Sequence, residues 1–302
     1  MQASRQQLKK ICDLFISDDS SWIIRKQALE QLHAFFVAAG ALDAHNTSTN
    51  ESDKALVAGK AIAPSWAAMC LFDIARTRQF VLGLKAAIAD MIEMRQRRIY
   101  VLDAGCGPYG LLSMIAALYF EKEEVHFTLL DIFEENIRSV STLIKAISLE
   151  DRFDFICEDA LVYQWPNLRP LDIVVTETMN AALSKEPQVG ITLQLAAQLS
   201  QKGILIPEKI EVDLIRQPAN DSSNCPAGER ISKSSHCLGN IVTLTKTSSL
   251  PEFRQPLLKS IELPSAFSIN DQLEMQTNIQ VYKQYGLGKN ESAITLPSYN
   301  NL

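Results

Sequence analysis

The chain has 302 residues, 47% hydrophobic and 21% charged, enough for one large folded unit or two modest ones. Its formal net charge of −6 argues against a broad nucleic-acid surface, which needs clustered lysine and arginine. No uninterrupted apolar stretch reaches the ~18 residues of a membrane span. The N-terminus "MQASRQQLKKICDLF" has neither the apolar core nor the small-residue cleavage site of a secretory signal, so a cytoplasmic protein with no membrane partner is expected.

Residues 4–40 carry Leu8, Ile11, Leu14 and Phe15, then Ile23, Ile24, Leu29, Leu32, Phe35 and Phe36, at helical spacing. The cap-rich "DDSS" at 18–21 divides them, which predicts a helical pair. The polar stretch "DAHNTSTNESDK" at 43–54 reads as a mobile loop, and helical spacing resumes from about Ser65 to Met94. Strands are predicted at 99–103, 125–131, 153–157, 171–176 and 203–206, and helices at 109–120, 133–147 and 187–200. This alternation specifies a parallel sheet with crossover helices, which binds ligands at the carboxyl ends of its strands. After Pro207, "EKIEVDLI", "NIVTLTK", "KSIEL" and "NIQVYKQY" read as short strands, and 217–239, rich in Asn, Ser, Pro and Gly, as a flexible segment. The expected organisation is an N-terminal helical segment (1–64), an α/β unit (65–207) and a β-rich unit (208–302).

The six cysteines, Cys12, Cys70, Cys106, Cys157, Cys225 and Cys237, include no C-x-x-C pair, so no metal site is expected. Cys106 in the glycine turn and Cys157 in an expected buried strand read as reduced, small apolar residues. His33, His45, His126 and His236 stand in no motif and read as structural or surface residues.

The first strand of the α/β unit runs into "IYVLDAGCGPYG" (99–110), with Asp103 followed by Gly105, Gly107 and Gly110. A glycine turn at this place lets a ligand approach the backbone. It serves a dinucleotide or S-adenosyl-L-methionine (SAM) equally well. Asp103 lies where a carboxylate suits an ammonium group better than a pyrophosphate. Asp131 ends the second strand, where a carboxylate grips ribose hydroxyls in either cofactor class. Asp159, after the third strand, is placed to accept from an adenine amino group. Three strand-end acids with no adjacent lysine or arginine fit a cationic, phosphate-free adenosine. The plain alternative is a tight turn with helix-capping aspartates.

The run "VLDAGCGPYG", the aspartate of "TLLDIF" and the "EDA" step resemble the class I SAM-dependent methyltransferases. The resemblance implies a Rossmann-like methyltransferase sheet, with Asp103, Gly105, Gly107, Gly110 and Asp131 at the cofactor and Asp159 at its adenine. This chain departs from the family's usual G-x-G-x-G by one extra residue in its turn.

The fourth strand ends in "DIVVTETMNAALSKEPQVG", with Glu177 and Glu186 nine residues apart. Two acids facing one pocket repel unless a cation lies between them. A guanidinium fits, because its forked donors bond two carboxylates at once. The neutral alternatives are that Glu177 caps the following helix and that Glu186 is a surface acid. This loop, the "LSQKGILIPEKIEVDL" segment and "FDIARTRQF" at 72–80 resemble the protein arginine methyltransferases, over about residues 72–215. The resemblance implies that Glu177 and Glu186 hold a guanidino acceptor, that Arg76 pairs with the SAM carboxylate, that the C-terminal extension is part of a β-barrel, and that a homodimer is one accessible state. Thr178 and Asn180 depart from the family's usual residues there, and no T-H-W stretch occurs. The expected function is methyl transfer to a guanidino nitrogen of free arginine, a related small molecule or protein arginine. The alternative is N- or O-methylation of another small metabolite. An NAD-dependent oxidoreductase and a non-catalytic descendant are the rivals from other classes.

Overall fold

The computed structural model describes residues 2–46, 52–166, 168–218, 235–249, 260–261 and 271–299. The chain opens with α1 (Gln2–Ile16) and α2 (Trp22–Ala38), the latter capped by Ser21, whose hydroxyl accepts from the Ile24 amide. The expected polar loop is only partly seen. Asp43 lies 3.3 Å from His33, His45 stacks on Phe72, and 47–51 fall outside the described residues. A small hairpin of β1 (Lys54–Leu56) and β2 (Gly59–Ala61) follows, which the sequence did not signal.

The helix expected over 65–94 is two pieces, α3 (Pro64–Met69) and α4 (Ile74–Arg95), joined by a 3-10 turn. The break falls at Asp73. One carboxylate oxygen caps α4 by accepting from the Arg76 amide, and the other accepts from the Ser292 hydroxyl (2.6 Å) and the Ala293 amide. The chain's distant end thus docks where the helix restarts.

Then come β3 (Ile99–Ala104), α5 (Leu111–Ala116), β4 (Val125–Asp131), α6 (Glu134–Ala146), β5 (Phe153–Cys157), β6 (Ile173–Thr176), α7 (Gln188–Ala196) and β7 (Ile204–Ile206). The five strands form one parallel sheet in the order β5-β4-β3-β6-β7. This is the expected Rossmann-like α/β architecture, doubly wound with a switch point beside β3. Every residue of β4 is buried, as a strand covered on both faces requires. Cys157 departs from expectation: β5 is an edge strand, and its last residue is exposed.

α5 is shorter than the predicted 109–120. After Ala116 the chain tightens, with Leu118 and Tyr119 amides bonded three residues back. The buried Arg152 donates to the Ala117 carbonyl (2.7 Å) and the Glu121 carbonyl. Arg152→Leu strands these carbonyls and is expected to cost about 2 kcal/mol, read as a lower urea midpoint at an unchanged slope.

The C-terminal part is an antiparallel sheet of β8 (Lys209–Gln217), β9 (His236–Thr245), β10 (Gln272–Tyr282), β11 (Tyr285–Leu287) and β12 (Ser298–Tyr299). Its order is β11-β10-β8-β9, with β12 on β10. His236–Gly239 are strand, not flexible segment, because they pair with β8. Residues 219–234 lie outside the described residues, and so does most of "KSIEL", of which Ser260 and Ile261 form no strand. The sheet packs closely on α4: a Cβ on Gly83 would sit 2.6 Å from Val281, and the Tyr282 hydroxyl donates to Asp90 at 2.6 Å. One buried apolar cluster runs from Leu8 through the parallel sheet to Ile294.

Candidate active site

Four parallel strands deliver side chains to a single cavity at the switch point. Asp103 is the penultimate residue of β3, Asp131 ends β4, Asp159 follows β5 and Glu177 follows β6, and all four line it. Gly105, Gly107, Glu186 and Arg76 line the same cavity. Gly110 does not. It is the left-handed N-cap of α5, and a Cβ there would come within 3 Å of Val140 and Leu129, so its task is packing.

Gly105 and Gly107 both have positive φ, +76° and +65°. A Cβ on Gly105 would lie 2.2 Å from Thr178 Cγ2, so the turn and the loop after β6 approach each other closely. A Cβ on Gly107 would meet nothing nearer than 4.0 Å, which leaves its backbone accessible from the cavity. Its amide donates to Asp131 Oδ2 at 2.9 Å.

The strand-end acids are deeply placed. Asp103 is 4% exposed and accepts from the Ser113 hydroxyl at 2.7 Å. Burial raises its pKa to about 6, against the lowering by Ser113. Asp131 accepts from the Phe133 amide, the Asn136 side chain and the Gly107 amide, yet burial still raises it. Asp159 Oδ1 accepts from the Leu161 amide, which closes a short turn.

Arg76 enters the cavity from α4. Its guanidinium makes an ion pair with Glu177, both side chains being little exposed. The loop acids therefore do have a cation beside them, one from α4. Glu177 Oε1 is buried with no hydrogen-bond partner. Burial raises Glu186, opposed by the charges of Arg76 and Lys60.

The loop joining the two glutamates is laced internally. Asn180 Oδ1 accepts from the Lys185 amide, and its amide nitrogen donates to Ser184. The Thr277 hydroxyl of β10 accepts from the Ala182 amide, which ties the loop to the C-terminal sheet. The hairpin adds a further wall: Lys60 donates its amide to the Lys185 carbonyl at 3.0 Å, and Leu56, Ala61 and Ile62 line the cavity. Sequence reasoning missed the hairpin, because two three-residue strands carry no periodicity.

No histidine lines the cavity. His33 accepts from the Ala44 amide, and His126 sits between Arg98 and Asp154, so both are structural. Among the described residues no cluster of His, Cys, Asp and Glu is arranged to hold a metal ion, and no helix is long and apolar enough to cross a membrane.

No protein-family model matches the chain, and no curated protein matches it. Among solved structures it is similar to a chain of the Trypanosoma brucei PRMT1 enzyme–prozyme heterotetrameric complex with AdoHcy, at 15% identity. That match covers 77% of this chain and 82% of the other, with a TM-score of 0.49. Fold and site together define a doubly wound α/β protein with an acid-lined cavity at its switch point. Its chemistry rests on the cavity itself.

Proposed function

We propose that this chain is a SAM-dependent methyltransferase whose acceptor is a guanidino nitrogen, of free arginine, a related small molecule or a peptide arginine. The carrying observation is six carboxylates, Asp103, Asp131, Glu158, Asp159, Glu177 and Glu186, around one cavity in which Arg76 is the single cation among the described lining residues. Such a wall repels a pyrophosphate and attracts cations.

The residues fit the cofactor. The accessible Gly107 backbone allows close approach, Asp131 suits ribose hydroxyls, and Asp159 suits an adenine amino group. Asp103 suits an ammonium, and Arg76 a carboxylate. When bound, SAM supplies an electrophilic methyl group on a sulfonium. Glu177 and Glu186 hold the acceptor guanidinium from two sides and fix which nitrogen faces the methyl donor. No base is needed beforehand, since most of the rate comes from orientation and electrostatics. Glu186, with its proton affinity raised by burial, takes the proton released after transfer. Residues 65–207 are assigned to the cofactor and 208–302 to the acceptor side.

A pH dependence follows from Asp103. In the free protein it holds its proton up to about pH 6. Over the interval from the ordinary carboxylate range to about 6, the folded state therefore binds more protons than the unfolded one, and this group's contribution to stability falls as pH rises. Binding an ammonium requires the ionised form. SAM affinity should thus weaken as pH drops through about 6, followed by calorimetry across that range.

The test is mass spectrometry after incubation with SAM and, separately, arginine, arginine-rich peptides, other guanidino compounds, amines and hydroxy acids. A guanidino product heavier by one methylene is expected. Transfer only to an amine or hydroxyl would discard the guanidino acceptor and keep the methyltransferase.

A further inference from the structure

We propose that Gln188 is a positioning residue that sets the spacing between Glu177 and Glu186; this rests on the methyl-transfer reading above. Gln188 opens α7, two residues after Glu186, and is fully buried. Its Oε1 accepts from the Thr178 amide at 2.9 Å and the Thr178 hydroxyl at 3.2 Å. Its Nε2 donates to the Thr176 carbonyl at 3.3 Å and the Thr192 hydroxyl at 3.2 Å. Thr176 and Thr178 are the chain neighbours of Glu177. One primary amide thus grips the backbone on both sides of the first glutamate, while its own backbone carries the second. The amide's orientation is fixed, because a backbone N–H must meet its oxygen and a carbonyl its nitrogen.

Gln188 does not line the cavity, whereas its neighbour Pro187 does, so it acts through the backbone and not on a ligand. Asn180 braces the far side of the same loop, accepting from the Lys185 amide at 3.0 Å and lying 3.4 Å from the Glu186 amide. A guanidinium gripped by two carboxylates tolerates little change in their separation. A displacement of about 1 Å at a reacting group costs on the order of 100-fold in rate.

The experiment measures kcat and KM for a guanidino acceptor, and Kd for SAM, in the wild type, Gln188→Leu and Gln188→Glu. Leucine keeps the volume and abolishes all four bonds. Glutamate keeps the acceptor atoms for Thr178 and loses the donor to Thr176. For Gln188→Leu, kcat should fall about 100-fold while SAM Kd stays within about 3-fold. Gln188→Glu should recover about 10-fold of that loss. Should the leucine variant fail to fold, the glutamate variant carries the test: kcat about 10-fold below wild type at unchanged SAM Kd. An unchanged kcat in the folded variants overturns the proposal. So does a parallel loss of SAM binding and activity, because a merely structural residue gives that pattern. Wild-type protein that methylates no guanidino compound overturns the underlying reading, and the proposal with it. Wild-type transfer with unaffected variants overturns the Gln188 role alone.

Discussion

Glu177→Gln is expected to reduce methyl transfer by at least about 100-fold while SAM still binds. The neutral amide keeps the shape of the side chain but loses the charge that faces a guanidinium. It also releases Arg76, which in the free protein is paired with Glu177. Freed of that partner, Arg76 is available to a carboxylate ligand, so SAM affinity should hold or tighten. The variant should lose some stability, since Arg76 and Glu177 are only 13% and 11% exposed and removing one partner leaves the other half-served. Calorimetry with SAM and a single-turnover transfer assay separate the effects. If SAM binding disappears with activity, the division of labour between the strand-end acids and the loop acids is wrong.

Gly105→Ala is expected to damage both the fold and the site. Its φ of +76° already penalises any side chain, by about 1–3 kcal/mol. The added Cβ would also lie 2.2 Å from Thr178 Cγ2. Thr178 cannot swing away freely, because its amide and its hydroxyl both bond Gln188. The clash is therefore passed to the residue beside Glu177. SAM binding and transfer should both fall, by about 10-fold or more each, with a lower melting temperature. Gly107→Ala carries a similar φ penalty, but its Cβ meets nothing nearer than 4.0 Å. Its thermal shift should be the smaller of the two, and its loss should lie in SAM affinity. Equal behaviour of the two variants would show that the contact with Thr178 is unimportant.

The sequence made the parallel sheet legible because its strands are short, largely apolar runs, three of which have an acid at or next to their carboxyl end. Those acids, Asp103, Asp131 and Glu177, mark the carboxyl edge where the cavity lies. What stayed hidden depends on distant partners. The break at Asp73 is fixed by Ser292 and Ala293, more than two hundred residues away, and no local pattern announces it. Gly110 looked like a third ligand glycine; its need for a left-handed N-cap against Val140 and Leu129 appears only once α5 and α6 pack. Arg76 was legible as a cavity residue, but not as the partner of Glu177, since two residues about a hundred positions apart meet only through the fold. Asn180 and Thr178 looked like departures from a loop pattern. In the folded chain they are the residues through which Gln188 and the neighbouring backbone hold the loop.

The most direct measurement is a side-by-side calorimetric titration of the wild-type protein with SAM and with NADH near neutral pH. Specific binding of SAM, weakening as pH falls through about 6, and no binding of NADH is the predicted result. Binding of NADH without SAM would contradict the account, because the acids around this cavity would then face a pyrophosphate.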